Sequence, residues 1–297
     1  MIGRVDLHTH TTASDGRLEP RQLVELAHRI GLRAIAITDH DTVAGLEEGI
    51  AAGHEFGVEV IPGIELSTED NGNDIHMLGY FIDYRNKDFI EILRYFQSIR
   101  LERARKIISK LKELGVEITI DEVIEIAGNS ASIGRPHIAQ AILNRGYVSD
   151  IQEAFDKYIG ADSPAYVPKY KLPTVEGTSF LYKAGGIPVI AHPGLSTTPD
   201  YVEFLARNGH IRGIEVWHPE HTPEQVIEYY RLAEKYGLIK TGGSDFHGIP
   251  GKSKLGQVSV AYVSVAALKK LKIEMKSKNI EANIKFSLRQ LAGLAAS

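Results

Sequence analysis

Four times in this chain an amphipathic run ends in glycine and an apolar stretch follows within a few residues. The junctions are Ile30-Gly31 before Ala34-Ile35-Ala36-Ile37, Phe56-Gly57 before Val58–Ile61, Asn208-Gly209 before Ile211, and Tyr236-Gly237 before Ile239. Glycine just past the last helical residue is the usual left-handed stop, and a strand directly after it marks a βα unit. Units of this kind confine a chain to a parallel sheet or a parallel barrel.

The strands predicted on this basis are Arg4–Leu7, Ala34–Thr38, Val58–Ile61, Asp74–Ile82, Gly186–Ala191, Gly213–Val216 and Ile239–Gly242. The third is expected to break at Pro62-Gly63. A last apolar run, Gln257–Val265, leads into a Lys-rich helix near Ala266–Lys276. Between residues 85 and 170 the rhythm changes to helices alone: Phe89–Leu114, Ile120–Ala127, Pro136–Asn144 and a helix around Ile151–Tyr158. That stretch is too long for a βα connection. It reads as a helical subdomain inserted between barrel segments 1–84 and 171–297 and roofing the active site, although a purely structural add-on would show the same pattern.

Composition narrows the chemistry. The 297 residues contain no cysteine, which excludes disulfides, thiolate metal sites and cysteine nucleophiles and leaves nitrogen and oxygen as metal ligands. A net charge of -4 argues against broad binding of duplex DNA, while bound cations could still attract a small anion. With no membrane-length apolar run and no leader-like start, the expectation is a cytoplasmic protein needing no membrane and no obligate protein partner.

The polar residues just past the strands tell one story. Strand one leads to His8 and His10, which share a side of an extended backbone, and then to Asp15. Strand two leads to Asp39-His40-Asp41 and strand three to Glu65, while strand four carries His76. Strand five ends at His192, strand six at His218, and strand seven at Asp245 and His247. Any one of these histidines alone is more often a core or surface residue than a ligand. Their recurrence after successive strands, whose C-terminal ends meet on one face of a parallel barrel, points to a shared site. Nine candidate ligands (His8, His10, Asp15, His40, Glu65, His76, His192, Asp245 and His247) exceed what one ion takes. Two or three divalent ions, Mn, Fe or Zn, fit a set of imidazoles and carboxylates.

As an ordered set, His8-Thr9-His10 with Ser14-Asp15-Gly16, Thr38-Asp39-His40-Asp41, Gly63-Ile64-Glu65, Ala191-His192-Pro193 and Ser244-Asp245-Phe246-His247 resemble the motifs of the PHP (polymerase and histidinol phosphatase) family. The resemblance implies an α/β fold, a distorted seven-stranded (β/α)7 barrel with an inserted helical subdomain. It also implies a trinuclear site. In that site His8, His10, Glu65 and Asp245 would hold one ion, Glu65 would bridge to a second held by His76 and His192, and Asp15, His40 and His247 would hold the third. Many histidinol-phosphate phosphatases of the family have histidine where this chain has Asp15.

Gly134-Arg135-Pro136-His137, Tyr166-Val167-Pro168 and Gly213-Ile214-Glu215-Val216 resemble the branch acting on nucleoside 3′,5′-bisphosphates and short RNA 5′ ends. This implies metal-assisted phosphomonoester hydrolysis with Asp15, Arg135 and His221 in the catalytic set, His221 as general acid and His218 its near alternative. Arg135, His137, Lys169 and His221 would contact the substrate. Arg135 suits phosphate through its planar fork, and Pro136 next to it also suits a helix start. Histidinol-phosphate phosphatase and a non-catalytic module supporting another protein are the competing readings.

Overall fold

The computed structural model describes residues 3–128, 133–168 and 172–277. Its strands are β1 (Arg4–Thr9), β2 (Ala34–Ile37), β3 (Glu59–Asp70), β4 (Asn73–Tyr80), β5 (Ile187–Ile190), β6 (Gly213–Trp217), β7 (Ile239–Gly242) and β8 (Val260–Ala261). They form one sheet in the order β7-β6-β5-β4-β3-β2-β1-β8. The seam between β1 and the segment after β7 is drawn together by a bridge between Thr9 and Phe246 and by the His10 N–H, which donates to the Phe246 carbonyl at 2.9 Å. Asp6 ties the same seam, accepting from the Ser244 N–H at 2.9 Å and the Gly256 N–H at 2.8 Å.

The barrel-like α/β architecture agrees with the sequence, with three differences. The apolar run 257–265 supplies only the two-residue β8, antiparallel to β1, because a helix begins at 263 and continues to 277. The strand count is therefore eight rather than seven.

Pro62-Gly63 does not break β3. Proline lacks only a donor, and here the strand changes partner: Pro62 is the last residue paired with β2, and Gly63 the first paired with β4. Gly63 permits the close approach, since a Cβ there would lie 2.8 Å from Thr38 Cγ2 and 3.0 Å from the Ile37 carbonyl oxygen. The third difference is direction, because β4 runs antiparallel to both β3 and β5. His76 therefore reaches the common face from the first half of its strand, opposite Ser67.

Helices α1 (Pro20–Arg29) and α2 (Leu46–Phe56) cover the first strands. Leu23, Val24 and Ala27 of α1 recur at helical spacing and are buried in the same apolar layer as Ile35 and Ile37 of β2. The four junction glycines all adopt the positive φ their caps require, between 60° and 73°. On the inner side, Val5, Leu7, Ala34 and Ala36 meet Val265 and Leu268 of the closing helix, which fills one end of the barrel.

The all-helical stretch comprises α3 (Lys87–Glu113), α4 (Ile120–Ala127), α5 (Arg135–Asn144), α6 (Ile151–Ala154) and a π-helical turn, Phe155–Ile159. Phe89, Leu93 and Phe96 of α3 join the barrel's apolar layer, whereas Ala104, Ile107 and Leu111 join a separate cluster with Val123, Ile138 and Ile142. One helix thus spans both cores. Helices α7 (Thr174–Lys183), α8 (Pro193–Ser196), α9 (Pro199–Arg207) and α10 (Pro223–Tyr236) complete the described chain before the closing helix.

Candidate metal centre

A local irregularity in β1 aims the first two histidines. Asp6 pairs with Ile35 and Thr9 with Ile37, so three residue steps on β1 oppose two on β2. Such a bulge re-aims the side chains beyond it. Leu7 faces the apolar barrel interior, and after the extra residue His8 and His10 face inward as well, toward Glu65.

Glu65 is the hub. It is fully buried, and its two oxygens divide the histidines between them. Oε1 lies 2.8 Å from His76 Nδ1 and 2.9 Å from His192 Nε2. Oε2 lies 3.1 Å from His8 Nε2, 3.2 Å from His10 Nε2 and 3.2 Å from His40 Nδ1. Asp245 approaches the same corner, with Oδ1 3.0 Å from His10 Nε2 and 3.4 Å from His8 Nε2. On the other side of His10, Asp15 lies 3.3 Å from His247 Nε2, 3.8 Å from His10 Nδ1 and 3.9 Å from His40 Nε2.

Among the described residues, three groups each bring their ligand atoms within 4.8 Å of one another: His8, His10, Glu65 and Asp245; His10, Asp15, His40 and His247; and His40, Glu65 and His76, with His192 in none of them. His10 and His40 each belong to two groups because their two ring nitrogens face different carboxylates.

The electrostatics are those of imidazoles and carboxylates packed together in a buried site. Burial works against charge on His10, yet Asp245 and Glu65 outweigh it and push its pKa up to about 10. His8 is likewise raised, its burial overcome by Glu215, Glu65 and Asp245. Burial opposes ionisation of Glu65, Asp245 and Asp15, but the surrounding imidazoles hold all three below the usual carboxylate range. Burial takes His40 the other way, down to about 4.

Both ring nitrogens of His10, His40 Nδ1 and Asp245 Oδ1 are buried with no hydrogen-bond partner. Buried polar atoms are ordinarily paired. Convergent, unpaired nitrogen and oxygen donors are what divalent Mn, Fe or Zn would satisfy, so the residues fit such ions. His192 and Asp245 adopt positive φ, 26° and 51°. Such conformations cost energy in residues with a Cβ and concentrate at functional sites.

A cavity of about 350 Å³ opens beside this centre. Asp15, His40 and His76 line it on one side, and Arg100, Arg103, Arg135 and His137 of the helical stretch on the other. Arg135 and His137, expected from the sequence as substrate contacts, both line this cavity, and burial lowers the pKa of His137. Lys169 lies outside the described residues.

His221 stands apart from the cluster. Its Nδ1 donates to the Val216 carbonyl at 2.9 Å and its Nε2 accepts from the Gly194 N–H at 3.2 Å, so both nitrogens are engaged by backbone. His218 is nearer. Its Nδ1 accepts from the Glu220 N–H, leaving the ring hydrogen on Nε2, which lies 3.6 Å from Asp245 Oδ2 without a hydrogen-bond partner.

A PHP-domain model matches residues 6–162. The chain belongs to the PHP family. A 5′-3′ exoribonuclease of Haemophilus influenzae is 34% identical over 86% of this chain and 94% of its own length. A 3′,5′-nucleoside bisphosphate phosphatase of Chromobacterium violaceum is 31% identical over 84% of this chain and 89% of its own. Among solved structures, one described as a metal-dependent phosphoesterase of Bifidobacterium adolescentis superposes with a TM-score of 0.80 at 32% identity, covering 89% of this chain and 94% of that one. No helix among the described residues is long and apolar enough to cross a membrane.

The PHP centre also has supports that sequence reasoning did not assign. Glu215 of β6 is fully buried; its oxygens lie 3.1 and 3.2 Å from His8 Nδ1, and Oε2 accepts the His192 N–H at 2.8 Å. Asp39 accepts from Thr11 N–H and Oγ1 at 2.7 Å and from Ser14 Oγ at 2.6 Å, which shapes the loop bearing Asp15. Arg100 pairs with the buried Asp41, next to His40, and donates to Ser67 Oγ at 2.9 Å, clamping α3 to the strand that carries Glu65. Glu215 stood in a recognised motif without a role. The arginines of α3 had no distinguishing signal among the charges of a long amphipathic helix.

Proposed function

We propose that this PHP protein is a metal-dependent phosphomonoesterase that removes the 3′-phosphate of nucleoside 3′,5′-bisphosphates, converting the adenosine compound to AMP, and that also trims short 5′-phosphorylated RNA. The observation that carries the reading is one cavity with an imidazole–carboxylate wall facing a guanidinium wall. A substrate with two phosphates matches both ends. The relatives named above support the same class of substrate.

In this reading His8, His10, Glu65 and Asp245 would hold one ion, Glu65 with His76 and His192 a second, and Asp15, His40 and His247 a third. Divalent ions held there would supply Lewis-acid polarisation of the phosphoryl oxygens and would acidify a water molecule. The chain's own residues do the rest. Arg135 and His137 take the second phosphate and so orient the ester. His218, with its ring hydrogen on Nε2, is the better-placed donor to the leaving 3′-oxygen than His221. Residues 85–170 act as a roof that brings Arg135 over a barrel formed by 1–84 and 171–297.

The test is phosphate release by the Mn-loaded protein from adenosine 3′,5′-bisphosphate, a short 5′-phosphorylated RNA and histidinol phosphate. Release from the bisphosphate with the highest kcat/KM supports the reading. Preference for histidinol phosphate, or no release from any of the three, overturns it.

A further inference from the structure

The cavity over the metal centre is not closed at its guanidinium end. A second groove of about 490 Å³ lies along α3, and both spaces are lined by Ile99 and Arg103. Beyond Arg103 the groove is lined by Lys106, Glu102 and the Val167-Pro168 segment. Arg103 Nε donates to the Val167 carbonyl at 2.8 Å, and Lys110 Nζ donates to the Tyr166 carbonyl at 2.8 Å. These two bonds hold the 166–168 segment alongside the helix.

Positions 99, 103, 106 and 110 recur at helical spacing, so they form one stripe. At about 1.5 Å of rise per residue, Lys106 stands about 4.5 Å past Arg103 along the axis. That interval suits two neighbouring anionic groups.

Two carboxylates stand near this junction: Asp74 lines the cavity and acts on the Arg103 guanidinium, and Glu102 lines the groove. Arg103, Arg135 and Lys106 form no ion pair among the described residues. The terminal nitrogens of Arg103 have no hydrogen-bond partner there, its Nε alone being engaged. Arg135 is held by one 3.3 Å bond to the Ile159 carbonyl and by the rings of Phe155 and Tyr166. Burial, and next the charge of Arg135, depress the Arg103 guanidinium to about 10. Guanidinium groups gathered on one wall of a cavity without an ion pair are suited to bind phosphate.

We propose that the groove past Arg103 is a subsite for a second anionic group carried on the substrate's 5′-phosphate, so that nucleoside 3′-phosphates with a 5′-diphosphate end are substrates as well. This rests on the reading above, in which Arg135 takes the 5′-phosphate and the 3′-phosphate faces the metal centre. Arg103 then contacts the inner 5′-phosphate and Lys106 the outer one. Water attacks the 3′-phosphorus, the P–O3′ bond breaks, and the 3′-oxygen leaves with a proton. The products are inorganic phosphate and a nucleoside 5′-diphosphate whose anhydride is intact.

The experiment compares adenosine 3′,5′-bisphosphate with adenosine 5′-diphosphate 3′-phosphate on the full-length, Mn-loaded protein. The wild type is expected to release one phosphate from each, with kcat/KM values within about tenfold of one another. Lys106→Glu is expected to lower kcat/KM about tenfold or more for the 5′-diphosphate substrate and to leave the bisphosphate within about twofold. Lys106→Arg should keep both. A wild type that cleaves the bisphosphate but rejects the 5′-diphosphate substrate overturns the inference and leaves the phosphatase reading standing, as does a Lys106→Glu protein equally slow on both. Failure to cleave either substrate instead overturns the phosphatase reading.

Discussion

Replacing Glu215 by Gln isolates one carboxylate that contacts the candidate ligands through His8 and His192. Its two oxygens face His8 Nδ1 at 3.1 and 3.2 Å, and one of them also accepts the His192 N–H at 2.8 Å. The carboxylate would therefore hold the hydrogen of His8 on Nδ1 and leave Nε2, once a metal displaces its proton, free to act as a ligand beside Glu65 and Asp245. Glutamine retains the shape but offers one acceptor oxygen. The amide nitrogen must then face either the His192 N–H or the ring hydrogen of His8, donor against donor.

Loss of such an outer partner typically weakens metal binding about 10–100-fold, equivalent to about 1.4–2.7 kcal/mol. The assay is chelator competition for Mn by the metal-free wild type and Glu215→Gln, with the folded state of each checked by circular dichroism and thermal melting. The expected loss falls on the ion held by His8, with a smaller effect on the group around Asp15, which has no contact with Glu215. Unchanged affinity in a folded Glu215→Gln protein would falsify the argument that this carboxylate orients His8.

The partition of ligands is tested by His8→Ala against Asp15→Ala. The first should remove the ion shared by His10, Glu65 and Asp245 and most of the activity, while the second should chiefly weaken the ion near His40 and His247. Equal loss of all metal from both proteins, measured by elemental analysis, means that the three groups do not bind independently. Protons provide a further test. His10 is raised to about 10 in the metal-free fold from an ordinary 6.5, so its stabilising contribution is complete below about pH 6.5 and is lost as pH rises through 10. A metal must displace that proton, so at pH 8 binding should release protons, and affinity should climb toward pH 10 by about tenfold per pH unit for each proton displaced. Calorimetry in buffers of different ionisation enthalpy counts them, and zero net release refutes the assignment of His10 as a charged ring awaiting a ligand.

Much of the site could be read from the sequence because its signals are local. Glycine after a helical run, an apolar tetrad and a polar residue past its end are neighbours in the chain, so spacing alone located His8, His10, His40, Glu65 and His192 on strands or at their ends. The boundaries of α4, Ile120–Ala127, follow in the same way from a Thr119–Glu122 capping box and a terminal glycine. Pro62-Gly63 misled for an equally local reason. The pair is a turn signal, and nothing nearby in sequence says that β3 exchanges β2 for β4 there.

Residue types and their order along the strands thus determined the α/β class and the kind of centre, nitrogen and oxygen ligands without thiolates. The tertiary structure decided which of those side chains stand together. That depends on the bulge in β1 that turns His8 inward, on the reversed direction of β4, and on Glu65 placing one oxygen toward each set of histidines. It also decided the meaning of Arg103, whose residue type and helical spacing would be the same on a solvated face. Burial and the nearness of another charge are properties of distant segments brought together, and they are what separate a cavity arginine from a surface one.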